Sequence, residues 1–209
     1  MDAVQDMVCP LDSWQCRQLP ADRLAVLNGG TESSLECMLL PRLKDRSFNP
    51  MAYHLAKIDW SVFGTGTFAL DWLTHNTAKA EEFRRKEFFN LLFCVCMKHR
   101  LRQRDLVYYG KTEWGANKRG HFNFLIGRRG TERISPESLA ASMQELWTTG
   151  NHRRGNAKIE PFNEHWHLEG VLYQSKYEFD ARGEQLPISE VFSPMLQKVI
   201  RKNSIEALN

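Results

Sequence analysis

The chain has 209 residues, 42% apolar and 25% charged, with a formal net charge of +3. That composition is ordinary for a globular protein and excludes a largely disordered chain; the length suits one domain with its own core plus an appendage. No stretch is long and apolar enough for a membrane helix, and Met1 to Leu11 carries Asp2 and Asp6 where a secretory leader would be basic and then apolar, so neither a span nor a leader is expected. Residues 1–50 show no sustained periodicity and read as an N-terminal extension, with short helices expected around Asp22 to Leu27 and Ser33 to Leu40. The main domain is expected over residues 51–209. Ile58 to Leu70 is rich in Val, Phe, Trp and Thr and reads as a strand. Thr74-His75-Asn76-Thr77 offers helix caps. Ala78 to Leu101 then places Phe83, Phe88, Leu91, Leu92, Val95 and Met97 at helical spacing. Leu106 to Glu113 is a second strand, Gly115 to Gly120 a polar turn, and His121 to Ile126 a third strand with Phe122, Phe124 and Ile126 on one face. Ser135-Pro136-Glu137 opens a helix to about Thr148. Lys158 to Phe162 is a fourth strand, Glu169 to Phe179 a helix, and Ser193-Pro194 opens another.

Strand, helix, strand, strand, helix, strand, helix is the split β-α-β order of ferredoxin-like and RNA-recognition-like folds. The expected class is therefore α+β: a central antiparallel sheet with flanking helices on one face and the other face free for a ligand.

Five irregularly spaced cysteines, Cys9, Cys16, Cys37, Cys94 and Cys96, argue against a disulfide framework and fit a reducing compartment. Cys94-Val95-Cys96 lies in an apolar helical run with no second pair nearby, so buried thiols are preferred to a metal site. Basic residues cluster between residues 84 and 154: Arg84-Arg85-Lys86, Lys98-His99-Arg100, Lys118-Arg119, Arg128-Arg129 and Arg153-Arg154. Such clusters can neutralise phosphates, although each alone is more often a solvated face.

The chemistry concentrates in one hairpin and one later helix. On a strand, His121 and Asn123 point to the same side, opposite to Phe122. Pairing across the turn brings the Glu113 carboxylate beside them. One imidazole, one carboxylate and one amide oxygen suit Mg²⁺ or Mn²⁺ better than a thiolate-preferring metal. In Leu172-Tyr173-Gln174-Ser175-Lys176-Tyr177, Tyr173 shares a helical face with both Lys176 and Tyr177. A tyrosine can attack a phosphodiester and hold the product as an ester.

Three segments in order resemble the rolling-circle replication initiators (Rep proteins) of the HUH endonuclease superfamily, found in plasmids, phages and small single-stranded DNA viruses. Trp60 to Phe68, which includes Thr65-Gly66-Thr67-Phe68, resembles the first motif, an apolar strand ending in T-x-T-F. Glu113 followed by His121-Phe122-Asn123 resembles the acidic residue and His-hydrophobic-His of the second. Tyr173-Gln174-Ser175-Lys176 matches Y-x-x-K. The resemblance covers roughly residues 55–180, and its order and spacing carry it, since Y-x-x-K alone recurs by chance. It implies a single-strand nicking and rejoining enzyme with a 5′-phosphotyrosine intermediate, Mg²⁺ or Mn²⁺ as cofactor, and replication-origin DNA, in hairpin form, as substrate. Host helicase and polymerase are implied partners; no membrane is. The implied location is cytoplasmic or the host compartment where DNA replicates. Tyr173 is the nucleophile and Lys176 its cationic neighbour, with Tyr177 a second candidate nucleophile. Glu113, His121 and Asn123 are the metal ligands. Thr65, Thr67, Trp114, Lys118, Arg119, Arg128 and Arg129 are DNA-contact candidates, and Phe124 is either a stacking or a core residue. Asn123 departs from the pattern, standing where most members have a second histidine, although circovirus initiators have glutamine there.

His165-Trp166-His167 is a rival His-hydrophobic-His, but it lies just before Tyr173 instead of upstream on a central strand. The metal strand carrying His121 and Asn123 precedes Tyr173 in sequence, whereas conjugative relaxases of the same superfamily place the tyrosine first, and that order argues for an initiator over a relaxase. A transposase of the same superfamily and a non-catalytic nucleic-acid-binding module are the alternative functions. No G-x-x-x-x-G-K-[ST] loop is present in the chain, so no helicase activity is expected from it.

Overall fold

The computed structural model describes residues 51–114, 120–150, 152–163, 167–176, 190–198 and 200. The N-terminal extension and its expected helices lie outside the described residues, as do the Lys118-Arg119 turn, His165 and Tyr177. Along the described chain run helix α1 (Met51–Leu55), strand β1 (Trp60–Phe68), helix α2 (Ala78–His99), strands β2 (Tyr108–Trp114) and β3 (Gly120–Gly127), helix α3 (Pro136–Thr149), strand β4 (Arg154–Pro161), helix α4 (His167–Ser175) and strand β5 (Glu190–Phe192). The sheet order is β4-β1-β3-β2-β5, with every pairing antiparallel. The first four strands have the ferredoxin-like arrangement, and β5 extends it beside β2.

Local chemistry sets the helix ends. The Thr77 hydroxyl accepts from the Ala80 amide at the start of α2. At its other end Arg100 turns into the left-handed region, so the helix stops short of the expected Leu101. Ser135 caps α3 through the Ser138 amide, with Pro136 in the first turn.

One sheet face packs against α2 and α3. Phe122, Phe124 and Ile126 of β3 meet Phe88, Leu91, Leu92 and Val95 of α2 and Leu139, Met143 and Trp147 of α3. Met97, expected on this inner side, is two-thirds exposed, and Cys96 takes the buried place beside Val95. Cys94 and Cys96 are free thiols; Cys96 is buried as expected, whereas Cys94 is only half-buried, and burial pushes the Cys96 thiol up to about 11.

The alternation of β1 has a steric cause. A Cβ on Gly64 would sit 2.2 Å from Phe124 Cζ, and one on Gly66 2.2 Å from Trp147 Cζ2. Aromatic rings lie directly on these backbone positions, so glycine takes the core side while Phe63, Thr65 and Thr67 take the other. Gly64→Ala is expected to cost about 1–3 kcal/mol, read from the urea midpoint at unchanged slope, because Phe124 is completely buried and must shift.

The second sheet face is not left bare, contrary to expectation. α1, α4 and Leu196 cover its middle, where Leu55, Trp60, Tyr109, Leu125, Val171 and Leu172 form a second core. The Tyr109 hydroxyl donates to Glu190 Oε1 at 2.7 Å, tying β5 to β2. Along the same face lie Asn123 and Glu113, both buried, the half-buried Thr65 and His121, and the exposed outer residues of β4, Asn156, Lys158 and Glu160. β4 itself begins at Arg154, four residues before the expected start, because the Arg154 guanidinium is buried on Glu87 Oε2 at 3.0 Å.

Candidate functional site

Three neighbouring strands place the site. Thr65 of β1 pairs with Asn123 of β3, and Lys111 and Glu113 of β2 pair with Asn123 and His121. Period-two alternation sends all five side chains to the second face. From above, α4 is held by Val171 and Leu172 in the second core, and its C-terminal end brings Tyr173 and Lys176 over the strands. The Lys111 ammonium, itself buried, donates to the Lys176 carbonyl at 2.7 Å. A cation at a helix C-terminus satisfies an orphan carbonyl and fixes where the helix ends.

Glu113 is the hub. Its side chain is only 7% exposed, yet it meets four donors. The Lys176 ammonium is bonded to Oε1, and the Tyr173 hydroxyl donates to the same oxygen at 3.2 Å. The Asn123 amide nitrogen donates to Oε2, and His121 Nε2 lies 3.5 Å from it. Burial alone would raise this carboxyl, but the His121 hydrogen bond and the charges of Lys176 and His121 outweigh it and hold Glu113 at about 2. Its folded-state value therefore lies below the unfolded one, near 4.5. The resulting stabilisation is complete above pH 4.5 and is lost as pH falls towards 2. On the order of 3 kcal/mol should disappear across that window. Glu113→Gln should lack that acid limb when urea unfolding is followed in a pH series without metal.

Asn123 is completely buried, and the Thr65 hydroxyl donates to its Oδ1 at 2.7 Å. Tyr173 packs on Phe63, ring centroids 6.4 Å apart, and the Lys176 ammonium sits 4.2 Å from the Tyr173 ring centre. The structure thus brings together Glu113, His121, Asn123, Tyr173, Lys176 and Thr65. Among the described residues no three His, Cys, Asp or Glu side chains converge, so any cation here would rest on Glu113, His121 and the Asn123 amide.

Other expected contact residues fall elsewhere. Thr67 lies on the same face, exposed, with its hydroxyl on the Asn156 carbonyl at 2.8 Å. Trp114 is on the opposite face, its ring against the Arg84 guanidinium at 5.0 Å, because alternation from Glu113 turns it away. Phe124 is wholly core. Arg128 and Arg129 follow the far end of β3 from His121, some seven residues or roughly 23 Å along the strand. The Arg128 guanidinium is engaged there by the Ile134 and Glu132 carbonyls. Two basic clusters also lose members to the interior: Arg84 is buried against Glu81, Thr112 and the Leu73 carbonyl, and Arg154 against Glu87. Lys118 and Arg119 lie outside the described residues. So do His165 of the rival His-Trp-His and the side chain of its His167, whose backbone begins α4.

Sequence reasoning passed over Lys111 and Phe63. Lys111 was within reach, since it alternates with Glu113 and so shares its face. No protein-family model matches this chain, and neither a curated protein nor a solved structure matches it. Among the described residues no helix is long and apolar enough to cross a membrane.

Proposed function

We propose that this protein nicks and rejoins single-stranded DNA at a replication origin, with Tyr173 as nucleophile and a divalent cation at Glu113, His121 and Asn123. The observation that carries this reading is the convergence of the Tyr173 hydroxyl and the Lys176 ammonium on Glu113 across 60 residues of sequence. A buried carboxylate held ionised, an imidazole and an amide on one patch form a hard N/O donor set that fits Mg²⁺ or Mn²⁺. When bound, such a cation polarises the scissile phosphate and balances charge developing on it.

The chain's own residues supply the rest. The Tyr173 phenol oxygen forms the new bond to phosphorus, and the bond from phosphorus to the 3′-oxygen breaks. The 3′-oxygen takes up a proton as the phenol gives one up, leaving a free 3′-hydroxyl and a 5′-phosphotyrosine; rejoining is the reverse. Phe63 and the Lys176 ammonium both pack on the tyrosine ring, which restrains its orientation. Thr65, Thr67 and Lys158 line the open strip of sheet beside it, where a single strand can lie.

The saturation of Glu113 by four donors also supports a second reading, a non-catalytic nucleic-acid-binding module with a structural polar cluster. Incubation with Mn²⁺ and single-stranded oligonucleotides bearing the replicon's origin, followed by a denaturing gel, separates the two. A protein-linked DNA band is expected. DNA binding with no band under any divalent metal would favour the module.

A further inference from the structure

The Asn123 side-chain amide is fixed at both ends, and it is the amide nitrogen that faces Glu113, donating to Oε2. Its oxygen is turned to the Thr65 hydroxyl. A cation can use only the amide oxygen. The orientation seen is therefore the wrong one for metal, and the right one is half a turn of the amide away. Oxygen and NH₂ have nearly the same shape, so the turned amide fits the same buried space. Thr65 is the residue that allows both positions, because a hydroxyl both donates and accepts.

We propose that Asn123 is a two-position amide, giving its nitrogen to Glu113 in the metal-free protein and its oxygen to a divalent cation, with Thr65 exchanging from donor to acceptor to hold either position. This rests on reading Glu113, His121 and Asn123 as the metal ligands. Once Thr65 accepts from the amide nitrogen, its own proton is released towards solvent. Thr65 is half-buried and lies opposite Lys158 of β4, whose side chain is exposed. Metal entry would thereby prepare a hydroxyl donor for a phosphate oxygen of the strand, across the strand pair from Lys158, whose ammonium lies 3.3 Å from Glu160 Oε2. Thr65 is thus a positioning residue that couples cation to DNA.

The test is a Mg²⁺ titration of the full chain without DNA, followed by NMR of the Asn123 side-chain amide and the His121 ring. Both signals should move with one midpoint, the amide protons upfield as they leave the carboxylate. Thr65→Ser keeps a hydroxyl and should bind Mg²⁺ within about twofold of the parent. Thr65→Val leaves a buried N–H unpaired in the metal-bound form, which costs more than the unpaired carbonyl it leaves in the free form. Its Mg²⁺ affinity should fall about tenfold. If His121 responds while the Asn123 amide stays still, or if Thr65→Val binds Mg²⁺ like the parent, the two-position amide is overturned and the metal site stands. If neither signal responds at any Mg²⁺ concentration, the metal reading fails and takes the inference with it.

Discussion

Tyr173→Phe should abolish covalent capture of single-stranded DNA, by a factor of about 10⁴ or more, while leaving the fold and DNA binding intact. The substitution removes one atom. The ring keeps its contacts with Phe63 and the Lys176 ammonium, because both are to the ring and not to the hydroxyl. Among the described contacts the hydroxyl gives up its 3.2 Å hydrogen bond to Glu113 Oε1, an oxygen that still has the Lys176 ammonium. Its loss should cost about 1 kcal/mol of stability, too little to disturb the site. Loss of the adduct on a denaturing gel can then be assigned to chemistry, with binding of the same oligonucleotide as the control. Persistence of the adduct in Tyr173→Phe, with loss in Tyr177→Phe, would move the nucleophile four residues along the chain.

The parts of this molecule legible in its sequence are those whose pattern is set by one buried face. The β3 alternation of Phe122, Phe124 and Ile126 and the capped amphipathic helices were such cases, and their boundaries fell within about two residues of expectation. The same alternation predicted that His121 and Asn123 share a face and that Glu113 lies across from them, which the register bears out. What was not legible depends on partners distant in sequence. Five residues, Met51–Leu55, are too few to show a period, and they form a helix by packing on Trp60 and Leu172. The three residues of β5 become a strand because β2 offers an unpaired edge and Tyr109 reaches Glu190. Arg84 reads as surface charge from its neighbours; only the fold shows Glu81, Thr112 and two main-chain carbonyls closing around it. The approach of Tyr173 and Lys176 to the strands came from the family resemblance, and no periodicity encodes it.

His121→Ala and Lys176→Ala should move cation binding in opposite directions while both impair DNA cleavage. His121 offers an imidazole nitrogen beside Glu113, and removing it leaves a carboxylate and an amide as the donor set. Mn²⁺ affinity should fall about 100-fold, in line with or beyond the loss seen when a supporting partner of a metal ligand is removed. Lys176 acts in the contrary sense. Its ammonium is bonded to Glu113 Oε1, so an incoming cation must displace it or share the carboxylate with a like charge. The lysine side chain is 31% exposed, which screens the repulsion, and Lys176→Ala should therefore raise Mn²⁺ affinity by only about five- to tenfold. Cleavage should nevertheless fall, because the ammonium that orients the Tyr173 ring and balances charge beside it is gone. Titration of Mn²⁺ by calorimetry, with adduct formation measured at saturating metal, gives both quantities for each variant. Affinity and adduct yield falling together in Lys176→Ala would make Lys176 a supporter of the cation and not its competitor for Glu113. Unchanged Mn²⁺ affinity and cleavage in His121→Ala would mean that the imidazole is not a ligand, and the cation would have to be sought elsewhere around Glu113.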